Sequence, residues 1–212
     1  MTSPSRLIIT LVCGSALSAC ATPSSNAPDV GEPGFFITSA NPGNGANLGG
    51  LAGADAYCTT LAGTAGLDGR TWAAYLSSSE ENARDRIGSG PWYNVDGVLV
   101  AESVEQLHDA DANALAKATS LSESGEVVSG RGDEPNRHDI LTGSAADGTL
   151  VGDACSDWTS EGEGSAMVGH HDRTGGGDAP TSWNAAHGSR GCGLEDLRGT
   201  GGDGLFYCFA TD

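Results

Sequence analysis

The sequence predicts a loop-rich domain of short helices and strands, pinned by disulfides. Three observations carry that prediction. Leu51, Ala54, Tyr57, Cys58, Leu61, Ala62 and Ala65 recur at helical spacing. Asp96-Gly97 sits between two short apolar runs, which signals a hairpin. Four cysteines lie beyond residue 35 in a chain with 33 glycines, so long turns and covalent restraint are both built in.

Residues 1–19 read as a lipoprotein signal peptide: Arg6 precedes an apolar run from Leu7 to Leu17, followed by Ser18-Ala19-Cys20. The run is shorter than the roughly 20 residues a spanning helix needs, so a cleaved leader is the expectation. Leu17-Ser18-Ala19-Cys20 resembles the lipobox of bacterial lipoproteins, which implies acylation at Cys20. Ala21 is not the aspartate that retains such proteins in the inner membrane, which points to the outer membrane of a bacterial envelope. Residues 20–34 carry Pro23, Pro28 and Pro33 with little apolar surface, the composition of a flexible tether. Residues 35–212 then form one domain.

Within that domain the helix over 51–65 stops at Gly66, and Trp72 to Leu76 reads as a strand. Ser78 and Glu81 form a capping-box pattern ahead of a polar helix through Ile87. Trp92–Val95 and Val98–Val100 flank the hairpin turn, and Ser103 with Gln106 caps a short helix carrying Val104 and Leu107. Ile140–Thr142, Ala166–Val168 and Leu205–Ala210 complete the strands.

Cys13 falls in the leader and Cys20 is the acylation site, leaving Cys58, Cys155, Cys192 and Cys208 for two disulfides with three possible pairings. Their spacing is wrong for a zinc site built on close cysteine pairs. The chain holds 28 Asp and Glu against 10 Lys and Arg, a net charge of −18 that becomes −19 when Arg6 leaves with the leader. No basic stripe is available to neutralise phosphate or sulfate, which argues against nucleic acid and heparin as partners.

Gly49 to Cys58, Ala65-Gly66-Leu67-Asp68-Gly69 and Trp72 to Ser78 resemble the first helix and strand of endostatin, the collagen C-terminal domain. The likeness continues through Asn94-Val95-Asp96-Gly97, Leu141 to Ser144, Cys155 to Trp158 and Leu205 to Cys208, so it spans nearly all of residues 35–210. Endostatin belongs to the C-type lectin-like superfamily. The resemblance therefore implies an α+β, C-type lectin-like domain with a long loop region and two nested disulfides, Cys58–Cys208 and Cys155–Cys192. Bacterial exported proteins similar to this chain carry a lectin label, which is itself fold analogy. Sugar-binding C-type lectins hold calcium through Glu-Pro-Asn and Trp-Asn-Asp motifs. Glu134-Pro135-Asn136 precedes the strand it should follow, and Ala185 replaces the aspartate after Trp183-Asn184, so neither motif is intact.

Residues 168–192 concentrate the unusual chemistry. Asp172, Arg173, Asp178, Trp183, Asn184, His187 and Arg190 combine an aromatic face with planar donors and acceptors, the residue types of a sugar site. Asp172, Asp178 and Asn184 could supply oxygens to calcium. His170, His171 and His187 raise a zinc site, but adjacent histidines in extended chain point opposite ways, so the first two should not share an ion. Hydrogen bonding to loop backbone is the commoner fate of such side chains. No Gly-x-Ser-x-Gly, His-Glu-x-x-His, phosphate loop or free cysteine is present in the domain, so a catalyst is not expected. The reading is a lipid-anchored, non-catalytic recognition domain for a glycan. A protein-binding adhesin is the alternative, and a metal-dependent hydrolase a more distant one.

Overall fold

The computed structural model describes Met1 and residues 31–212; the rest of the expected leader, Cys20 and most of the expected tether lie outside the described residues. In chain order the elements are β1 (Phe35–Ile37), α1 (Gly50–Thr64), β2 (Trp72–Ala74), α2 (Ala83–Arg86), β3 (Trp92–Tyr93), β4 (Leu99–Ala101), α3 (Val104–His108), β5 (Asp139–Leu141), α4 (Ala154–Trp158), β6 (Met167–His170), β7 (His187–Gly188), α5 (Leu194–Arg198) and β8 (Gly202–Ala210). This is a mixed α+β architecture. Among the described residues no helix is long and apolar enough to cross a membrane.

β8 organises the molecule. A six-stranded sheet runs in the order β1-β8-β5-β6-β7, with β2 also paired to β8. β1 lies along one edge of residues 207–209. On β8 the parallel partner β5 covers 202–206, and the antiparallel partner β2 covers 208–210. Side chains alternate across a strand, and here both faces are covered. Phe206, Cys208 and Ala210 join the core under α1 with Phe36, Leu76, Leu141 and Trp158. Leu205, Tyr207 and Phe209 join a second core with Phe35, Trp92, Ile140 and Trp183. A central strand buried on both faces explains why Leu205–Ala210 reads as a continuous apolar run.

The disulfides are Cys58–Cys208 and Cys155–Cys192, with both residues of the second between those of the first in sequence. The first ties α1 to β8. The second ties α4 to the segment before α5.

Arg86 fixes α1 against α2. Its guanidinium, only 7% exposed, pairs with Asp55 at 2.8 Å and with Glu81, and donates to the Ala74 carbonyl. Asp55 in turn accepts from the Ala74 amide. Asp55 keeps 30% of its side chain exposed, so removing the buried Arg86 strands a partly hydrated charge. Arg86→Met is expected to cost about 3 kcal/mol in denaturant unfolding, and a loss under about 1 kcal/mol would place the pair with ordinary surface bridges.

α4 is a left-handed turn. Ala154, Cys155, Ser156, Asp157 and Trp158 all have φ between 45° and 67°, a conformation costing L-residues about 1–2 kcal/mol each. The turn is held by the Cys155 bridge, by Trp158 Nε1 donating to the Ser77 carbonyl, and by the Asp157 carboxylate accepting from Ser79. Ser156 is exposed. Ser156→Gly is therefore expected to raise stability by about 1 kcal/mol, read as a shift in the urea midpoint at unchanged slope.

Two sequence expectations shift in detail. The Ser78 hydroxyl accepts from the amides of Glu80 and Glu81 and so closes a turn. The helix starts later, at Ala83, whose amide is taken by the Ser77 hydroxyl. β1, β7 and α5 carry no periodic or capping signal in the sequence.

Candidate metal centre

The ends of three strands meet at one end of the sheet. Asp139 on β5 is directly opposite His170 on β6, and Val168 of β6 is opposite His187 on β7. With a side-chain period of two, Asp139, His170 and His187 project from the same face. His138, one residue before β5, folds in beside them, its ring stacked on His170 at 4.3 Å between centroids. His187 meets His170 edge to face at 5.0 Å.

Three imidazole nitrogens converge on one carboxylate oxygen. Nε2 of His138, His170 and His187 lie 3.1, 3.3 and 3.6 Å from Asp139 Oδ1. The first two are hydrogen-bond lengths without hydrogen-bond geometry, and the third is too long for a hydrogen bond. Both Asp139 oxygens and His170 Nε2 are buried with no hydrogen-bond partner. Asp139 is 2% exposed and His170 0%, and His187 keeps 22% of its side chain exposed.

Hydrogen bonds on the other side of two rings fix their tautomers. His170 Nδ1 is 2.8 Å from the Pro180 carbonyl, and His187 Nδ1 is 3.0 Å from the Gly188 carbonyl. A carbonyl only accepts, so each Nδ1 carries the proton, and in a neutral ring Nε2 then presents a lone pair toward Asp139. His138 Nδ1 faces Asp172 Oδ1 at 3.5 Å. Lone pairs aimed at a carboxylate repel it unless a proton or a metal cation lies between. One proton resolves one contact; a metal ion resolves all three.

Electrostatics follow the same geometry. Burial opposes charge on His170, but the Asp139 carboxylate and the Pro180 carbonyl outweigh it and raise its pKa. Burial would raise Asp172, yet the His138 side chain and the amides of Arg131 and Thr174 pull it far below the usual carboxylate range. His171 is depressed by burial and points away, its Nε2 on the Ser129 carbonyl. The two adjacent histidines therefore face opposite ways, as alternation requires.

Glycines make room for the rings. A Cβ on Gly175 would lie 2.7 Å from His170 Cε1, and one on Gly201 would lie 2.8 Å from His138 Nε2. Both have positive φ, +136° and +115°. The backbone can press against the imidazoles only because no side chain is attached there.

The donors match a transition-metal set. Four ligands at 2.0–2.1 Å from a tetrahedral Zn2+ stand about 3.3 Å apart, and the three distances to Asp139 Oδ1 bracket that edge. Nδ1 atoms held by backbone carbonyls, as in His170 and His187, are the outer-shell pattern of metal-bound histidine, and His138 Nδ1 faces Asp172 without a hydrogen bond. Imidazole nitrogen suits zinc and its neighbours and does not suit calcium, which takes oxygens.

The remaining sequence-predicted residues are placed as follows. Trp183 is 2% exposed and packs between Tyr75 and Tyr207, so its face is not open to a sugar. Asn184 is buried, with its amide nitrogen shared among Tyr75, Ala145 and Ala146 and its side-chain oxygen accepting from Ser182. Both hold the core together, a correction to their expected ligand role, because the chain turns inward after β6 to cover Tyr207. Arg173 reaches the carbonyls of Ala110, Leu115 and Thr181 and clamps a neighbouring loop. Arg190 pairs with Asp196 on the surface, and Asp178 is exposed. The proposed calcium set of Asp172, Asp178 and Asn184 fails as an open oxygen site: Asp172 is turned to His138 and two amides, and Asn184 lies in the core. Only His187 and Asp172 of the predicted set reach the cluster, one in it and one behind it. His170 belongs to the zinc alternative.

Sequence reasoning overlooked His138-Asp139. The available signal was an adjacent His-Asp pair at the start of an apolar strand, where a carboxylate needs a partner. No protein-family model matches this chain, and no curated protein does.

Proposed function

We propose that this chain is an exported, non-catalytic zinc-binding domain, holding the ion through His138, His170, His187 and Asp139. The observation that carries the reading is the convergence of three Nε2 atoms on an otherwise unpartnered, buried carboxylate. The ligand atoms of His138, Asp139 and His170 all lie within 4.8 Å of one another, and His187, outside that group, reaches Asp139 Oδ1 at 3.6 Å as the fourth ligand of a binding or structural site, whereas catalytic zinc keeps three protein ligands and a water. Export and a lipid anchor at Cys20 remain part of the proposal. Two disulfides support an oxidising compartment for the domain. The same pairing, with the mixed α+β architecture, supports the likeness to endostatin-like and C-type lectin-like domains.

Elemental analysis of the purified chain, stripped with chelator and reloaded, tests the metal. One equivalent of zinc that survives gel filtration is the expected outcome, with His187→Gln and Asp139→Asn each losing it. A wild-type chain that emerges without zinc would end the reading.

Recognition of a glycan or a surface protein is the second reading. A cavity of about 430 Å³ lies over the three histidines, and it favours a ligand that reaches the ion in place of one stacked on Trp183. A glycan array probed with zinc-loaded and zinc-free protein tests it; binding indifferent to zinc would move the site elsewhere.

A further inference from the structure

The cavity above the cluster has a composition of its own. Its walls include His138, His170 and His187 but not Asp139, so an ion between these donors has the carboxylate beneath it and the cavity above. The other walls are Arg131, Asn136, Thr200 and the backbone of Gly176 and Gly177. No apolar side chain and no carboxylate is among them, in a chain with 28 acidic residues. Arg131 is exposed and has no carboxylate partner among the described ion pairs; only its backbone amide is engaged, by Asp172.

Charge decides what fits. Metal ligation takes neutral imidazoles and an ionised carboxylate. A divalent ion, the Asp139 and Asp172 carboxylates and the Arg131 guanidinium therefore leave a net charge of about +1 around the cavity. Zinc expands from four to five ligands when a donor approaches an accessible face. The face available here opens on a polar cavity with a free guanidinium at its rim and amide and hydroxyl groups beside it. Guanidinium pairs with planar or tetrahedral oxyanions in forked geometry.

We propose that the metal-loaded cavity binds small oxyanions, the carboxylate or phosphate group of a polar ligand, with one oxygen on the ion and the others on Arg131. This inference rests on the metal site proposed above. The strong acidity of the chain as a whole does not oppose it for a small ligand, because exposed charges more than about 8–10 Å away are screened at physiological salt. A long polyanion would still meet the acidic surface and be repelled.

Cobalt substitution gives a readout that separates the two claims. Full-length protein loaded with Co2+ is titrated with acetate and, separately, with inorganic phosphate, and visible absorption is followed. The expected result is a saturable change in the cobalt bands as the ion gains a fifth ligand, at low-millimolar anion (~1–10 mM). Saturation by phosphate alone would assign a phosphorylated ligand, and by acetate alone a carboxylate. Arg131→Gln should raise the half-saturation concentration about tenfold. Cobalt uptake with no spectral response to either anion would overturn the oxyanion inference and leave the metal site standing. A response identical in Arg131→Gln would overturn the role of the guanidinium. Failure to take up cobalt at all would remove the metal reading on which both depend.

Discussion

Zinc at a thousandfold excess over its dissociation constant is expected to raise the thermal midpoint of this protein by about 10 °C. Selective binding to the native state at that ratio contributes about 4 kcal/mol, and a domain of this size shifts by about 2–4 °C per kcal/mol. The source of the effect is geometric. His138, Asp139, His170 and His187 come from three strands and the approach to β5, so they form a site only when the sheet is assembled. A ligand set scattered over some 50 residues of sequence is absent from the unfolded chain, and metal binding becomes folding free energy. His187→Gln tests the point with least disturbance, since His187 sits at the mouth and not in the core. It should abolish most of the zinc-dependent shift while leaving the metal-free midpoint within a degree or two. His170→Ala should abolish the shift as well, but with a lower metal-free midpoint because a fully buried ring is lost. Scanning calorimetry with and without zinc reads all three proteins. Equal midpoints for the wild type in both conditions would contradict the assignment.

Loss of the Cys58–Cys208 bridge is the second large effect, expected at about 5 kcal/mol in the double alanine variant. The chain-entropy model gives that figure for a closed loop of 150 residues. Since domains of this kind are stable by about 5–15 kcal/mol in total, the variant should be partly unfolded at 37 °C. The Cys155–Cys192 bridge closes a span of 37 residues, for which the same model gives about 4 kcal/mol. Urea unfolding should rank the two accordingly. The shorter bridge has a second role, because it anchors the left-handed turn at α4. Its removal should expose that turn to amide hydrogen exchange ahead of the global transition. Uniform exchange across both variants would show that the turn is held by Trp158 and Asp157 alone.

The elements read from sequence were those with a local cause. α1 announces itself through the spacing of Ala54, Cys58 and Ala62, which are its buried residues. The β3–β4 hairpin follows from Asp96-Gly97, whose glycine takes φ 75°. β8 was legible from its apolar run, although its central position was not, since strand order is a property of the whole chain. α4 had no signal, because no residue among Ala154 to Trp158 is a glycine that would announce positive φ. At the candidate site, composition pointed to residues 168–192, the segment that holds His170 and His187. It overrated Trp183 and Asn184, since a tryptophan near a polar loop looks the same in sequence whether it faces water or core. His138 and Asp139 were overlooked for a different reason. Thirty-one residues separate Asp139 from His170, and only the antiparallel register of β5 and β6 makes them neighbours.

The position of β8 has a consequence for biosynthesis. It is the last element described and the strand partner of β1, β2 and β5, so β1 and β2 find their strand neighbour only once residue 210 has emerged, while β5 can pair first with β6. A chain delivered from its N-terminus can form the β3–β4 hairpin and the β5–β6–β7 pairings but cannot join β1 and β2 to the sheet until β8 arrives, and those contacts form across long separations, which favours slow folding. Cysteines arrive in the same order. Cys155 becomes available to Cys58 well before Cys208 does, so oxidation during emergence would join the wrong pair. Reaching Cys58–Cys208 then calls for thiol–disulfide exchange once the final strand is in place. Refolding of the reduced protein should accordingly be faster in a glutathione redox buffer, which permits exchange, than under air oxidation.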